Sequence, residues 1–232
     1  LLVGVIKHPD GTVLVDAGLG QTTRNGTFPR FPLNNAHSVV IPPGWTIAER
    51  LESPPKRVLM THLHYDHVGG LFDLPGVEVW TTEAEWASTM TGNLAFPESR
   101  IRDAVNWQIV PLRAGRARAM LNRPATDVLG DGSIWYISTP GHTPGSASVL
   151  VQAEDKAWLF IGDSGWIDAH LGSARRPWMV SLLVDARSKQ LRKTLDWIRD
   201  LMTQCPGIEI VAGHEMRWGK PLPTLPAATP LR

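Results

Sequence analysis

The run Thr61-His62-Leu63-His64-Tyr65-Asp66-His67-Val68-Gly69-Gly70 places three histidines and an aspartate within six positions. Imidazoles combined with a carboxylate suit Zn²⁺ best, with Mn²⁺, Fe²⁺ and Co²⁺ also compatible. In an extended segment side chains alternate, so His62 and His64 project from one face and can grip a single ion. Asp66 and His67 fall where the glycine pair signals a turn into a helix, which lets them face a second metal beside the first. A catalytic zinc needs at least three protein ligands and an open position, so this cluster requires help from elsewhere in the chain. His142, Asp163 and His214 can supply it, because each directly follows a strand-like run. Together they form the set expected of a two-metal site.

Other candidate chemistries are weaker. His8, His37 and His170 have no partner pattern and read as surface or loop residues, His170 being the one able to line a pocket. Gly18-Leu19-Gly20 lacks the third glycine of a dinucleotide loop, since Thr23 occupies its place, and no helix is expected after it. Ser164 sits in no nucleophile elbow. The single cysteine, Cys205, excludes an intrachain disulfide and a cysteine-cluster metal site. Of the ten tryptophans, Trp166 and Trp178 flank the loop after Asp163. With Phe28 and Phe31 they are the expected apolar walls of a substrate pocket.

These residues must be positioned by strands and turns. Residues 2–6 and 12–16 read as a hairpin across Pro9-Asp10-Gly11, and residues 18–43, rich in Gly, Pro, Asn and Thr, as a long surface loop. A helix is expected at 47–51, ended by Pro54-Pro55, then a buried strand at 57–61 running into the first histidines. Further strands are expected at 77–80, 133–138, 146–152, 157–161 and 208–212, and helices at 83–90, 98–107 and 188–202. Leu191, Leu195, Ile198 and Leu201 give the last helix its period. Arg113, Arg116, Arg118 and Arg123 lack interleaved aromatics and read as a solvated basic face.

The length of 232 residues predicts one domain, 1–232, with a sizeable core. A 43% hydrophobic and 19% charged composition, with no apolar run of about 18 residues, excludes a disordered chain, a fibre and a membrane-spanning protein. A net charge of +1 disfavours nucleic acid and anionic membranes as partners. The expected partner is a small, neutral, partly apolar molecule; the oligomeric state stays open. Leu1 falls inside a strand-like run, so further N-terminal sequence is expected. The chain shows no leader, which favours a cytoplasmic location while leaving a trimmed signal peptide open.

In Leu14-Val15-Asp16-Ala17-Gly18, the 62–70 run, Thr139-Pro140-Gly141-His142-Thr143-Pro144-Gly145, Phe160-Ile161-Gly162-Asp163 and Ala212-Gly213-His214, the chain resembles the metallo-β-lactamase-fold hydrolases over nearly its whole length. The resemblance implies an α/β fold, a four-layer αβ/βα sandwich with two Zn²⁺ at one end. His62, His64 and His142 would bind one metal and Asp66, His67 and His214 the other, with Asp163 bridging. Asp16 would be a buried support rather than a ligand. The implied reaction is attack on a carbonyl by a water held between the metals, its pKa drawn toward ~7, with Asp66 or Asp163 relaying a proton.

Within that family, Asp163 separates the chain from the zinc β-lactamases, which generally lack the bridging aspartate. Glyoxalase II-type thioesterases share all seven positions but add a helical C-terminal domain, for which too few residues follow His214. The tRNA-processing ribonucleases need an RNA-gripping arm and a basic surface. The lactonase-like branch, which includes acyl-homoserine lactonases, is the most similar, and opening of a lactone or cleavage of a related carboxylic ester is the expected activity. The alternatives are a thioesterase or β-lactamase-like hydrolase, a persulfide dioxygenase with a single iron, and a non-catalytic metal-binding scaffold. Two departures stand out: Glu215 follows the last histidine where aspartate is common, and Trp166 occupies the place of a lactonase tyrosine that assists the carbonyl.

Overall fold

Val13, Leu14 and Val15 are all buried, yet alternation along the strand sends Leu14 into one apolar layer and its two neighbours into another. The same split occurs in the second half of the chain, where Ile134 and Tyr136 face one way and Trp135 and Ile137 the other. A sheet buried on both faces needs a layer on each side, and two such sheets give a helix–sheet–sheet–helix stack. The computed structural model describes residues 1–25, 40–89, 105–112, 122–154, 156–172, 181 and 185–215. Phe28, Phe31, His37, Arg113, Arg116, Arg118 and Trp178 lie outside them.

The first sheet holds β1 (Gly4–His8), β2 (Gly11–Val15), β3 (Arg57–Leu59), β4 (Glu78–Thr82) and β5 (Asn106–Val110) in that order. β1 and β2 form the expected antiparallel hairpin, and the remaining pairs are parallel. The second sheet runs β10 (Ile208–Ala212), β9 (Ala157–Gly162), β8 (Ala147–Gln152), β7 (Ile134–Ser138), β6 (Ala125–Asp127). β10 and β9 are parallel there and the rest antiparallel. Between the sheets Val13, Val15 and Leu59 meet Ile134, Tyr136, Val149 and Val151. The fully buried Tyr136 stays satisfied by donating its hydroxyl to the Met60 carbonyl of the other sheet at 2.6 Å.

The outer layers are helical. α1 (Gln21–Arg24), α2 (Ile47–Arg50), α3 (Tyr65–Val68) and a 3-10 turn (Gly69–Asp73) belong to the first half, followed by α4 (Glu83–Thr89). A second 3-10 turn (Asp168–His170) and α5 (Ser188–Gln204) belong to the other half. α5 buries Leu191, Thr194, Ile198 and Leu201, one stripe at helical spacing. Ile198 and Leu201 pack on Leu159, Ile161 and Ile210 of the second sheet.

Three local expectations change. A one-turn helix does follow Gly20, within the stretch expected as loop. The helix expected at 98–107 is not what its described part forms: Asn106 and Trp107 open β5 beside β4. β6 carries no apolar run and gave no sequence signal. β5 and β6 are edge strands whose residues are mostly exposed or only partly buried, so they lack a clean apolar pattern. No helix among the described residues is long and apolar enough to cross a membrane.

Within the first sheet β2, β3, β4 and β5 end at one edge, and within the second β7, β9 and β10 do, as their pairings require. The Ala147 N–H donates to the Thr61 carbonyl at 2.7 Å and so ties the two sheets together at that edge. Every residue singled out for metal chemistry lies beyond that edge, Asp66 and His67 on the one-turn α3 and the others on loops.

Candidate metal centre

Asp16, the first residue beyond β2, has φ 60°, a left-handed conformation that costs about 1–3 kcal/mol for a residue with a side chain. Its buried carboxylate offsets that cost with three hydrogen bonds. Oδ1 accepts the Thr61 backbone N–H at 2.7 Å, and Oδ2 accepts the Thr61 hydroxyl at 2.8 Å and His67 Nδ1–H at 2.7 Å. The Asp16 oxygens accept all three, so His67 keeps a proton on Nδ1 and turns Nε2 to the site. Thr61 spends its hydroxyl proton on Asp16, so its oxygen is left to accept from His62 Nδ1 at 3.1 Å. His62 Nε2 is thereby presented as well. One strained aspartate fixes two imidazoles.

A parallel device orients His142. Its Nδ1 donates to Asp185 Oδ1 at 2.9 Å, and Ser181 donates to the other oxygen of Asp185 at 2.6 Å. His142 Nε2 then stands 3.0 Å from His64 Nδ1, close enough for the two to share one proton or one cation.

Asp163 lies between these groups. Gly162 delivers it with φ 48° in a position where a Cβ would stand 2.5 Å from the Thr61 hydroxyl, so only glycine lets β9 approach β3 here. Asp163 Oδ1 faces His67 Nε2 at 3.3 Å and His214 Nε2 at 3.2 Å; Oδ2 faces His142 Nε2 at 3.6 Å. Asp66 completes the far side, 3.6 Å from His214 Nε2 and 3.8 Å from His67 Nε2. The donor atoms fall into three overlapping groups: His62, His64, His142; His62, His67, Asp163; and Asp66, His67, His214. Within each, the atoms lie within 4.8 Å of one another.

These donors fit a divalent cation. His62 Nε2 and His67 Nε2 are buried and close no hydrogen bond among the described residues, a costly state for a polar atom unless something else satisfies it. Burial holds the His62 imidazole well below its ordinary range, helped by His67, His64 and His142, so it is a neutral donor. At His67 burial opposes protonation, but Asp16, Asp66 and Asp163 outweigh it and hold the ring well above the ordinary range. The carboxylates demand positive charge at that point, which a cation also supplies.

All seven residues of the expected ligand set are therefore drawn together, and Asp16 lies beneath them. Of the expected pocket walls only Trp166 is described. It sits at the centre, its Nε1–H donating to Asp163 Oδ2 at 2.8 Å. Glu215 Oε2 accepts the Asp168 N–H at 2.8 Å and braces the loop carrying Trp166. His170 Nδ1 accepts the Trp166 backbone N–H at 3.3 Å, and His8 pairs with Asp131 at the surface, 3.0 Å away.

The sequence reading missed two carboxylates, Asp185 and Glu85. Glu85 is 2% exposed on α4. Its Oε1 accepts the Leu63 N–H at 2.9 Å, and its Oε2 accepts the Thr143 hydroxyl at 2.6 Å and the Gly145 N–H at 3.1 Å. It clasps the segment bearing His62 and His64 to the loop bearing His142. Gly145 is required there because any Cβ would strike the Glu85 backbone. Burial pushes the Glu85 carboxyl up, against the three hydrogen bonds that favour its charged form.

Residues 2–214 match the metallo-beta-lactamase superfamily. The N-acyl homoserine lactonase AttM of Rhizobium radiobacter is 30% identical over 234 residues, covering 91% of this chain and 80% of that protein. A Mycobacterium tuberculosis protein named as a metallo-hydrolase is 26% identical over 236 residues, covering 91% and 73%. The solved structure of an N-acyl homoserine lactone hydrolase, with the product N-hexanoyl-L-homoserine bound at its catalytic metal centre, superposes with TM-score 0.74. At 16% identity over 97% of this chain and 85% of that one, it shows the shared fold.

Proposed function

This chain belongs to the metallo-beta-lactamase superfamily and is a metal-dependent hydrolase, and from that premise we propose that it holds two divalent cations, zinc by preference, and opens lactones or cleaves related carboxylic esters. The observation that carries the reading is the placement of the Asp163 oxygens. Oδ1 faces the His67 and His214 nitrogens while Oδ2 faces His142, as a carboxylate shared between two cations must. His62, His64 and His142 would hold one cation and Asp66, His67 and His214 the other, with Asp163 between them.

When bound, two such cations supply an acidified water and a Lewis acid for the scissile carbonyl. The chain's own residues set the rest. Asp16, Thr61 and Asp185 keep the imidazole lone pairs aimed inward, so the donors need little reorganisation. Asp163 is 6% exposed and committed on both oxygens, whereas the Asp66 side chain is 18% exposed at the mouth. Asp66 is thus the carboxylate able to carry a proton to the leaving alkoxide. A small, neutral, partly apolar substrate fits the net charge of +1 and the aromatic residue at the centre. The lactonase relatives support a lactone among such substrates.

A panel of lactones, aryl esters, thioesters, β-lactams and phosphodiesters tests the reading. Lactone kcat/KM is expected to exceed that for a phosphodiester by at least ~100-fold, about 2.7 kcal/mol of differential transition-state binding. Preferred turnover of a phosphodiester or β-lactam by zinc-loaded protein overturns it.

A further inference from the structure

Asp163 needs something to keep its carboxylate turned. The terminal torsion of an aspartate is broad, so the plane of its oxygens is set by what they bond. Oδ1 has the two imidazoles at 3.2 and 3.3 Å, but Oδ2 stands 3.6 Å from His142 Nε2, beyond a hydrogen bond. A short contact at Oδ2 comes from Trp166 Nε1, at 2.8 Å. An indole N–H donates only, so it can hold the oxygen without competing for a cation.

The indole is itself well braced. The Trp166 carbonyl accepts the His214 N–H at 2.9 Å, and its own N–H reaches His170 Nδ1 at 3.3 Å. Its ring lies 5.9 Å from that of His214, at 63°. Trp166 therefore connects the residue shared by both donor groups to the loop that brings the last histidine.

Resting on the two-cation reading above, we propose that Trp166 is a positioning residue of the metal pair: its indole N–H fixes the plane of the Asp163 carboxylate, so that each oxygen stays turned toward its own group of donors. The residue acts through Asp163, and the N–H spent there is not directed to substrate. Phenylalanine keeps the aromatic bulk and removes the hold. Trp197, which lies under Arg123 on the outer helix, is the matched control.

Zinc titration against a chelating chromophore is run on wild type, Trp166→Phe and Trp197→Phe. Wild type is expected to take up two equivalents, and Trp166→Phe to bind at least one of them about tenfold or more weakly, with Trp197→Phe within about twofold of wild type. Wild-type affinity for both equivalents in Trp166→Phe overturns the inference and leaves the two-cation reading standing. Uptake of fewer than two equivalents by wild type overturns the two-cation reading and the inference with it. Should Trp166→Phe fail to fold, wild type labelled with ¹⁵N at tryptophan and loaded with Co²⁺ provides the second test. A strongly paramagnetically shifted indole N–H is expected, and its absence overturns the proposal.

Discussion

Burial disfavours an ionised carboxylate, yet the Asp163 carboxyl is held well below the usual range because His67, His214 and His142 face it. An alanine there removes the group shared by both sets of donors and leaves buried imidazoles facing one another. Asp163→Ala is therefore expected to lower kcat for the best substrate of the panel by more than ~10-fold. His8→Asn, which alters surface contacts with Asp131 and the Asp10 N–H, should leave it near wild type. Equal turnover of the Asp163 variant and wild type would contradict the bridging role. At this scale the histidines and aspartates were legible because the metal chemistry concentrates them in one short run and at strand ends. Their supports were less so. The relation of Asp185 to His142 or of Thr61 to Asp16 depends on contacts between distant parts of the chain, which spacing does not encode.

Glu85 makes the same point for whole elements. On α4 it resembles any solvated helix carboxylate, and the sequence Glu83-Ala84-Glu85 gives no reason to choose between its two glutamates. Only the approach of the Gly145 loop to α4 turns one of them into a buried clasp. Glu85→Ala would strand the Leu63 and Gly145 N–H groups, each worth about 1–3 kcal/mol if left unsatisfied, and would leave the Thr143 hydroxyl to Ser146. A loss of at least about 2 kcal/mol in urea unfolding of the metal-free protein is expected, with Glu85→Gln losing less because its amide oxygen still accepts. An unchanged midpoint would show that the clasp does not hold the two loops. The same dependence on neighbours explains the strands. β2, β3, β7, β8 and β9 announce themselves as apolar runs because layers cover them, whereas β5 and β6 are thinly buried edges, the first falling in a stretch that reads as helix and the second giving no signal.

For the molecule as a whole, three apolar layers separate four layers of structure, and their residues alternate strictly along the strands. Such a stack leaves its polar chemistry only at the ends of the strands. Seven strands finishing at one edge bring together residues as far apart in the chain as Asp16 and His214. The order of the motifs and the resemblance they carry made this architecture legible, while periodicity alone supplied only its strands and helices. The function proposed above sets a pair of cations on either side of Asp163, and metal stoichiometry tests that proposal most directly. Elemental analysis of the full chain, purified without chelator and then reconstituted with excess zinc and desalted, should approach two ions per chain. A ratio that settles at one would contradict the two-cation centre and favour a mononuclear site built on only one group of these donors.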